Sequence, residues 1–317
     1  MIFTFIVLLN LFLINSVQAQ NNSLLNSVEE SFAVGTLMSD SDALSFGFAN
    51  YDLMIDELDF SNEESQRYRN SLDVFSFPYT WELPAKSEAW DHAITMRAFY
   101  IFSKRNNQLV SGIDDTQKEH TFGLFGRYSQ YFHVTDNWYV ESALGLHFSF
   151  YQNTYSYGDG VTDEIKYKYD NKSFNTTALT SIIEPEVGIG YKKQESWGTW
   201  RIHHKTNYIY GHAIGGSILR KDSINPEAWH FTNGIEFAVN VPELWGVYDF
   251  LSIDFKRIEL RGDLNVMAEN NFYYETSFGW VIDTNKKIPF LDNIGIGIAI
   301  NYGSSVSGGS IVLYYNE

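Results

Sequence analysis

Trp138-Tyr-Val-Glu-Ser-Ala-Leu-Gly-Leu-His-Phe-Ser-Phe-Tyr151 decides how this chain is to be read. Its even positions are Trp138, Val140, Ser142, Leu144, Leu146, Phe148 and Phe150, whereas its odd positions include Glu141, Gly145, His147 and Ser149. A period of two with one apolar and one polar face is the pattern of a strand whose two sides meet different media. The stretch is long for a strand of a soluble protein. Lipid outside and a wet lumen inside satisfy both observations, which is the arrangement of a transmembrane β-barrel.

The same alternation recurs along the chain. Trp229, Phe231, Ile235, Phe237 and Val239 oppose His230, Thr232, Glu236 and Asn240. Phe272, Tyr274, Phe278, Trp280 and Ile282 oppose Glu275, Ser277 and Gly279, and Ile294, Ile296, Ile298 and Ile300 oppose Gly295, Gly297 and Asn301. From residue 43 onward the pattern predicts twelve strands, near 43–54, 70–81, 89–103, 119–133, 138–152, 174–192, 197–211, 227–240, 247–260, 271–283, 291–302 and 308–315. Alternation breaks phase around Asp249 to Asp254, where a bulge is expected. Every second connection is short: Glu82 to Glu88, Val134 to Asn137, Lys193 to Ser196, Val241 to Gly246 and Thr284 to Phe290. The others, such as Lys104 to Lys118, Asn153 to Ser173 and His212 to Pro226, are long and polar, apart from a brief one at Gly303 to Ser307. Short turns opposite long loops, with an even strand number, predict an all-β, antiparallel, up-and-down barrel of outer-membrane type with both termini in the periplasm. A soluble β-sandwich or lipocalin-like barrel accounts for the alternation but not for the strand lengths or the loop asymmetry.

Composition agrees with a barrel. Aromatic residues make up 17% of the chain, with 21 Tyr and 24 Phe, enough to supply girdles at two interfaces. Mean hydropathy is nonetheless −0.23, which argues against a bundle of membrane helices. The chain has no Cys, so neither disulfides nor thiol chemistry is available. A formal net charge of −17 opposes binding to nucleic acid, which needs clustered Lys and Arg.

Residues 1–19, an apolar core ending in Ser16-Val-Gln-Ala19, read as a secretory signal peptide, shorter than the roughly 20 residues of a spanning helix. Residues 20–42 read as a short amphipathic helix and linker. Leu24, Leu25, Val28 and Phe32 fall near one face, and Ser27 and Glu30 have capping-box spacing. Residues 43–317 form the single barrel domain.

Signal, short helix and about twelve strands filling the rest of the chain resemble the translocator domain of bacterial autotransporters, in particular the solitary autotransporter-like barrels without a passenger. Ile183-Glu-Pro-Glu-Val-Gly-Ile-Gly-Tyr191 is similar to the Pro-x-Val-Gly-x-x-Tyr strand of those barrels, and the resemblance spans residues 24–315. It implies a porin-like barrel of a Gram-negative outer membrane, in contact with outer-membrane lipids and with the barrel-assembly machinery through the C-terminal strand. Ile311, Leu313 and Tyr315 suit such an assembly signal, although the chain continues to Asn316-Glu317 rather than ending on an aromatic residue. Only about two dozen residues separate the signal from the first strand, so no passenger is expected.

Alternation directs Arg97, Arg127, Glu141, Glu184, Glu186, Arg201, Lys205, Glu236 and Glu275 into the lumen, because a charge facing lipid costs up to about 2–4 kcal/mol at mid-membrane. They can line a selective pore for a small solute, or pair across a filled lumen. The presence of both signs favours pairing. His147-Phe-Ser149 has the spacing of a lipid-cleaving barrel, but faces the lumen; His204-x-Thr206 faces outward but lacks the Ser. Asp159, Asp163, Glu164 and Asp170 crowd one loop without Ca²⁺-loop spacing. Arg261-Gly-Asp263 is a weak adhesion signal, and Gly188, Gly190, Gly295 and Gly297 are inward glycines expected to leave lumen space. No cofactor is implied. The expected function is a passive or plugged pore or structural surface protein; a lipid-modifying hydrolase and a surface adhesin are the alternatives.

Overall fold

The structure is a computed structural model that describes residues 23–40, 44–54, 67–87, 89–110, 112–171, 174–218, 224–244, 247–264, 271–288, 291–303 and 306–315. The signal peptide and the final Asn316-Glu317 fall outside these. Helix α1 spans Ser23–Met38 and α2 spans Asp163–Tyr169. Twelve strands follow the predicted order: β1 Leu44–Met54, β2 Arg67–Ser87, β3 Trp90–Val110, β4 Ile113–His133, β5 Trp138–Ser156, β6 Thr177–Glu195, β7 Gly198–Gly216, β8 Glu227–Leu244, β9 Val247–Gly262, β10 Phe272–Ile288, β11 Leu291–Tyr302 and β12 Val306–Tyr315. Each pairs antiparallel with its neighbours in sequence, and β1 pairs with β12, so the sheet closes. Closure gives every strand two partners and leaves no edge.

Outward positions are apolar as the alternation predicts. Leu144, Leu146 and Phe148 on β5 are exposed on the outer wall, while Glu141, His147 and Ser149 between them are buried inside. Aromatic rings meet near both rims. Trp90 stacks on Phe132, and Trp138 meets Tyr191, which meets Trp200, at the short-turn end. Tyr208 meets Trp229, and Phe272 meets Tyr274, towards the other end. No helix among the described residues is long and apolar enough to cross a membrane.

Four expectations change. The polar stretch 104–118 is not a loop: β3 and β4 stay paired through Asn107↔Asp115 to Val110↔Ile113, making a hairpin that extends the wall. Ser27 and Glu30 lie inside α1 rather than capping it. The bulge expected near Asp249 to Asp254 is absent, since β9 pairs with β8 without a shift from Asp249 to Gly262. The inward glycines leave little free space, because neighbouring rings and backbone occupy it. A Cβ on Gly190 would lie 2.2 Å from the Tyr139 ring, and one on Gly297 would lie 2.4 Å from the Phe278 carbonyl and 2.8 Å from the Tyr314 ring. At Gly295 and Gly188 the nearest atoms are the Trp280 carbonyl at 2.4 Å and the His204 carbonyl at 3.1 Å.

At Asp249 to Asp254 the apparent change of phase comes from Phe250, packed inward with Val281, Val312 and Tyr314. The apolar inward residues at the other end of β9 are explained by helix α1. It lies inside the barrel, where Val28, Phe32, Ala33, Val34 and Leu37 form one buried cluster with Leu72, Ile101, Ile182 and Ile209 of the wall. Ile258 and Leu260 belong to the same cluster, so inward positions of β9 are polar at one level and apolar where the helix sits. Residues 32–37 are buried without interruption. A helix buried all round is enclosed, not amphipathic on a surface.

Candidate functional site: a charged lumen closed by a helix

Strand parity brings Arg127, Glu141, Glu184, Glu186 and Lys205 together from β4, β5, β6 and β7. Glu186 Oε2 accepts from Asn207 Nδ2 at 2.8 Å and from Arg127 Nη1 at 3.4 Å. Lys205 Nζ lies 3.4 Å from Glu186 Oε1 and 3.1 Å from Glu141 Oε2, so one ammonium serves two carboxylates. Glu184, further along β6, is held by His147 Nε2 at 2.6 Å, His230 Nε2 at 3.2 Å and Asn207 Nδ2 at 3.0 Å. Asn207 thus joins the two groups through one amide.

The remaining charges pair in separate places. Arg201 donates through Nε to Glu236 Oε2 at 2.9 Å, and His203 Nδ1 lies 3.2 Å from Glu236 Oε1. Lys256 Nζ donates to Glu275 Oε1 at 3.0 Å, and Ser277 Oγ donates to Asp254. Arg97 does not join the wall network. It donates through Nη1 to Asp40 Oδ1 at 2.7 Å, just beyond the C-terminal end of α1, and its guanidinium lies over the Phe125 ring at 4.3 Å. All nine residues expected to line the lumen therefore have an oppositely charged or histidine partner. Opposite charges in contact offset the cost of desolvation, and leave no field of a single sign to select ions.

Asp40, Asn207, Lys256 and Asp254 complete these pairs and were not singled out in the sequence. For Lys256 and Asp254 parity was the available signal, obscured by the apolar inward residues further along β9. For Asp40 no local signal exists, since its partner is 57 residues away.

Helix α1 descends from the long-connection end towards mid-barrel. Near its start, Glu29 Oε1 accepts from the Asn225 backbone N–H at 2.6 Å, in the β7–β8 connection. Midway, Phe32 meets the Tyr151 ring at 5.7 Å between centroids. At its end, Ser39 O accepts from Ser76 Oγ at 3.0 Å. The described chain consequently begins at the long-connection end and finishes, at Tyr315, at the short-turn end, whereas the sequence placed both ends together. Beneath the helix is a cavity of about 240 Å³, bordered by Leu37, Asp40, Arg127, Lys205, Glu236 and Tyr314 among others.

Loop features take no part in this lumen. Asp263 of the Arg-Gly-Asp stretch is turned inward, its Oδ2 accepting from the Glu227 backbone N–H at 2.6 Å, and burial pushes its carboxyl up to about 6. Asp163 pairs with Lys166 at 3.6 Å and Asp170 accepts from the Asn175 side chain, and no metal-holding group occurs among the described residues.

Against known proteins, a family model described as the solitary outer membrane autotransporter beta-barrel domain matches residues 29–317. No curated protein matches the chain. Among solved structures, the transport unit of the autotransporter AIDA-I from Escherichia coli is similar with a TM-score of 0.56 at 9% identity, over 94% of this chain and 100% of that one. The translocator domain of NalP from Neisseria meningitidis is similar with a TM-score of 0.49 at 8% identity, over 92% and 94% of the two chains.

Proposed function

Because this chain belongs to the solitary outer membrane autotransporter β-barrel family, and so to the bacterial outer membrane, we propose that it is a plugged barrel, closed at rest, which serves as a structural surface protein rather than an open channel. The carrying observation is α1, whose residues 32–37 are buried all round inside the closed sheet. Burying Val28, Phe32, Val34 and Leu37 is worth on the order of 6–12 kcal/mol before the cost of ordering the helix. That burial opposes the helix's leaving the lumen. The paired lumen charges support the same reading, since they satisfy one another around the cavity below the helix. In this reading the outward Ile311, Leu313 and Tyr315 of β12 are what the assembly machinery recognises.

Conductance of the refolded mature protein in a planar bilayer tests it. The intact barrel is expected to be silent, and deletion of residues 20–38 to produce steady single-channel steps. Steady conductance of the intact barrel would sink the proposal. The hydrolase and adhesin readings gain no support: His147 and Ser149 are buried in the wall, away from lipid, and the Asp263 carboxylate is occupied by β8. Ser149→Ala is expected to leave any lipid hydrolysis by the preparation unchanged.

A further inference from the structure

The outer wall of β7, β8 and β9 carries a strip that lipid does not explain. His204 pairs across the sheet with Asn233, and Asn233 with Arg257, so these three side chains are neighbours on one outward face. His204 Nδ1 lies 2.9 Å from Asn233 Oδ1, and Thr206 Oγ1 lies 3.3 Å from His204 Nε2. Next on β9, Arg257 Nη1 lies 2.8 Å from Glu259 Oε1, with the guanidinium 4.7 Å from the Phe272 ring. The surroundings are apolar: Val187, Ile189, Ile202 and Phe255 are exposed on the same wall. Trp200 lies below the strip and Tyr208 and Trp229 above it, which places its His204 end within the apolar band.

An outward Arg in that band costs up to about 2–4 kcal/mol against lipid, falling towards the interface, and internal pairing offsets only part of it, since its side chain remains 42% exposed. Polar groups at such a depth are stabilised by another polypeptide that offers polar partners. We propose that this strip is the contact surface for a second copy of this chain, forming a dimer in the membrane about an axis along the membrane normal. Such an axis brings each strip against itself, so the strip must complement itself. It does. Arg257 and Glu259 sit two residues apart, roughly 7 Å, on one strand, so that Arg257 of each copy can reach Glu259 of the other. Asn233 presents an amide that both donates and accepts, as a symmetric contact requires. Glu259 beside Arg257 also disfavours a phosphate-bearing lipid as the occupant.

The absence of cysteine makes the test clean, because an introduced thiol is the chain's only one and a disulfide of twice the chain's mass joins two copies through that position. Full-length protein carrying Phe255→Cys is oxidised in native outer membranes, with Phe77→Cys on β2, across the ring from β8, as control. A disulfide dimer is expected at the first position and not at the second. In the Phe255→Cys background, Arg257→Glu or Glu259→Arg is expected to lower cross-linking at least tenfold, and co-expression of the two reversed chains to restore it between them. Arg257→Gln, which introduces no like-charge clash, serves if a reversed chain fails to fold, with the same tenfold loss expected. Absence of the dimer, equal cross-linking at both positions, insensitivity to these substitutions, or failure of the mixed pair would each overturn the proposal. So would a monomer that hydrolyses a fluorogenic phospholipid ester and loses that activity with Thr206→Ala, which would make the strip catalytic.

Discussion

Glu184 holds two histidines and an amide with a single carboxylate inside the wall. Replacing it with Ala leaves three buried polar groups without their shared acceptor. The expected cost is about 3–5 kcal/mol, the range for breaking one side of a buried charged contact, read as a lower urea midpoint for loss of the folded band in cold gels. Glu184→Gln retains an acceptor and is expected to cost less. At the rim, Asp263 behaves oppositely with pH. Its folded carboxyl is raised from 3.8 to about 6, so the folded rim holds the proton more tightly than the open one. Its stabilisation is full below about 4 and is lost as pH rises through about 6, at most about 3 kcal/mol in opening free energy. Hydrogen exchange around Glu227, corrected for intrinsic rates, is expected to show that trend in the native protein and to lose it in Asp263→Asn. The Arg-Gly-Asp stretch looks free in the sequence because nothing local reveals that Glu227, 36 residues earlier, supplies the backbone N–H that holds its carboxylate.

Strands were the most legible elements because lipid imposes one rule on most outward residues. All twelve were found, yet their far ends were not, since beyond the membrane the β3–β4 hairpin obeys no apolar rule and its Lys, Asn, Gln and Asp residues resemble a loop. Inward positions were harder to read for a different reason. They face water and ion pairs at one level and α1 at another, so Leu72, Ile101, Ile182, Ile258 and Leu260 are apolar where a wet lumen predicts polarity. The helix itself was legible as a helix, but its enclosure depends on contacts with strands far away in sequence. The nine inward charges were legible from parity; their partners, set by register, were not. Glycine on one strand opposite a ring on the next forms a further element-scale device. In Gly190→Val the new Cβ would fall where the Tyr139 ring now lies, and a loss of about 1–3 kcal/mol is expected. Tyr139→Ala in the same chain should recover part of that loss, as a double-mutant cycle on the urea midpoint would show.

For the whole molecule, the direction of α1 sets the topology. Ser23, where the described chain begins, lies towards the face with the long β5–β6 and β7–β8 connections, and Tyr315 at the opposite face. Protease added to intact cells should therefore remove an epitope placed just before Ser23 and spare one after Tyr315. The closing contact of the sheet carries a further consequence. Among the described residues β1 meets β12 over eight residue pairs, whereas β3 meets β4 over nineteen, so the junction that completes the ring is a short one. Phe32 and its neighbours pack against the wall inside the ring, so a finished ring admits them only end-on. The order of events in biogenesis is then constrained. The helix is expected to be laid against a curved, still unclosed sheet before the first and last strands zip together around it, so that the object installed in the membrane is a cylinder cast around its own core.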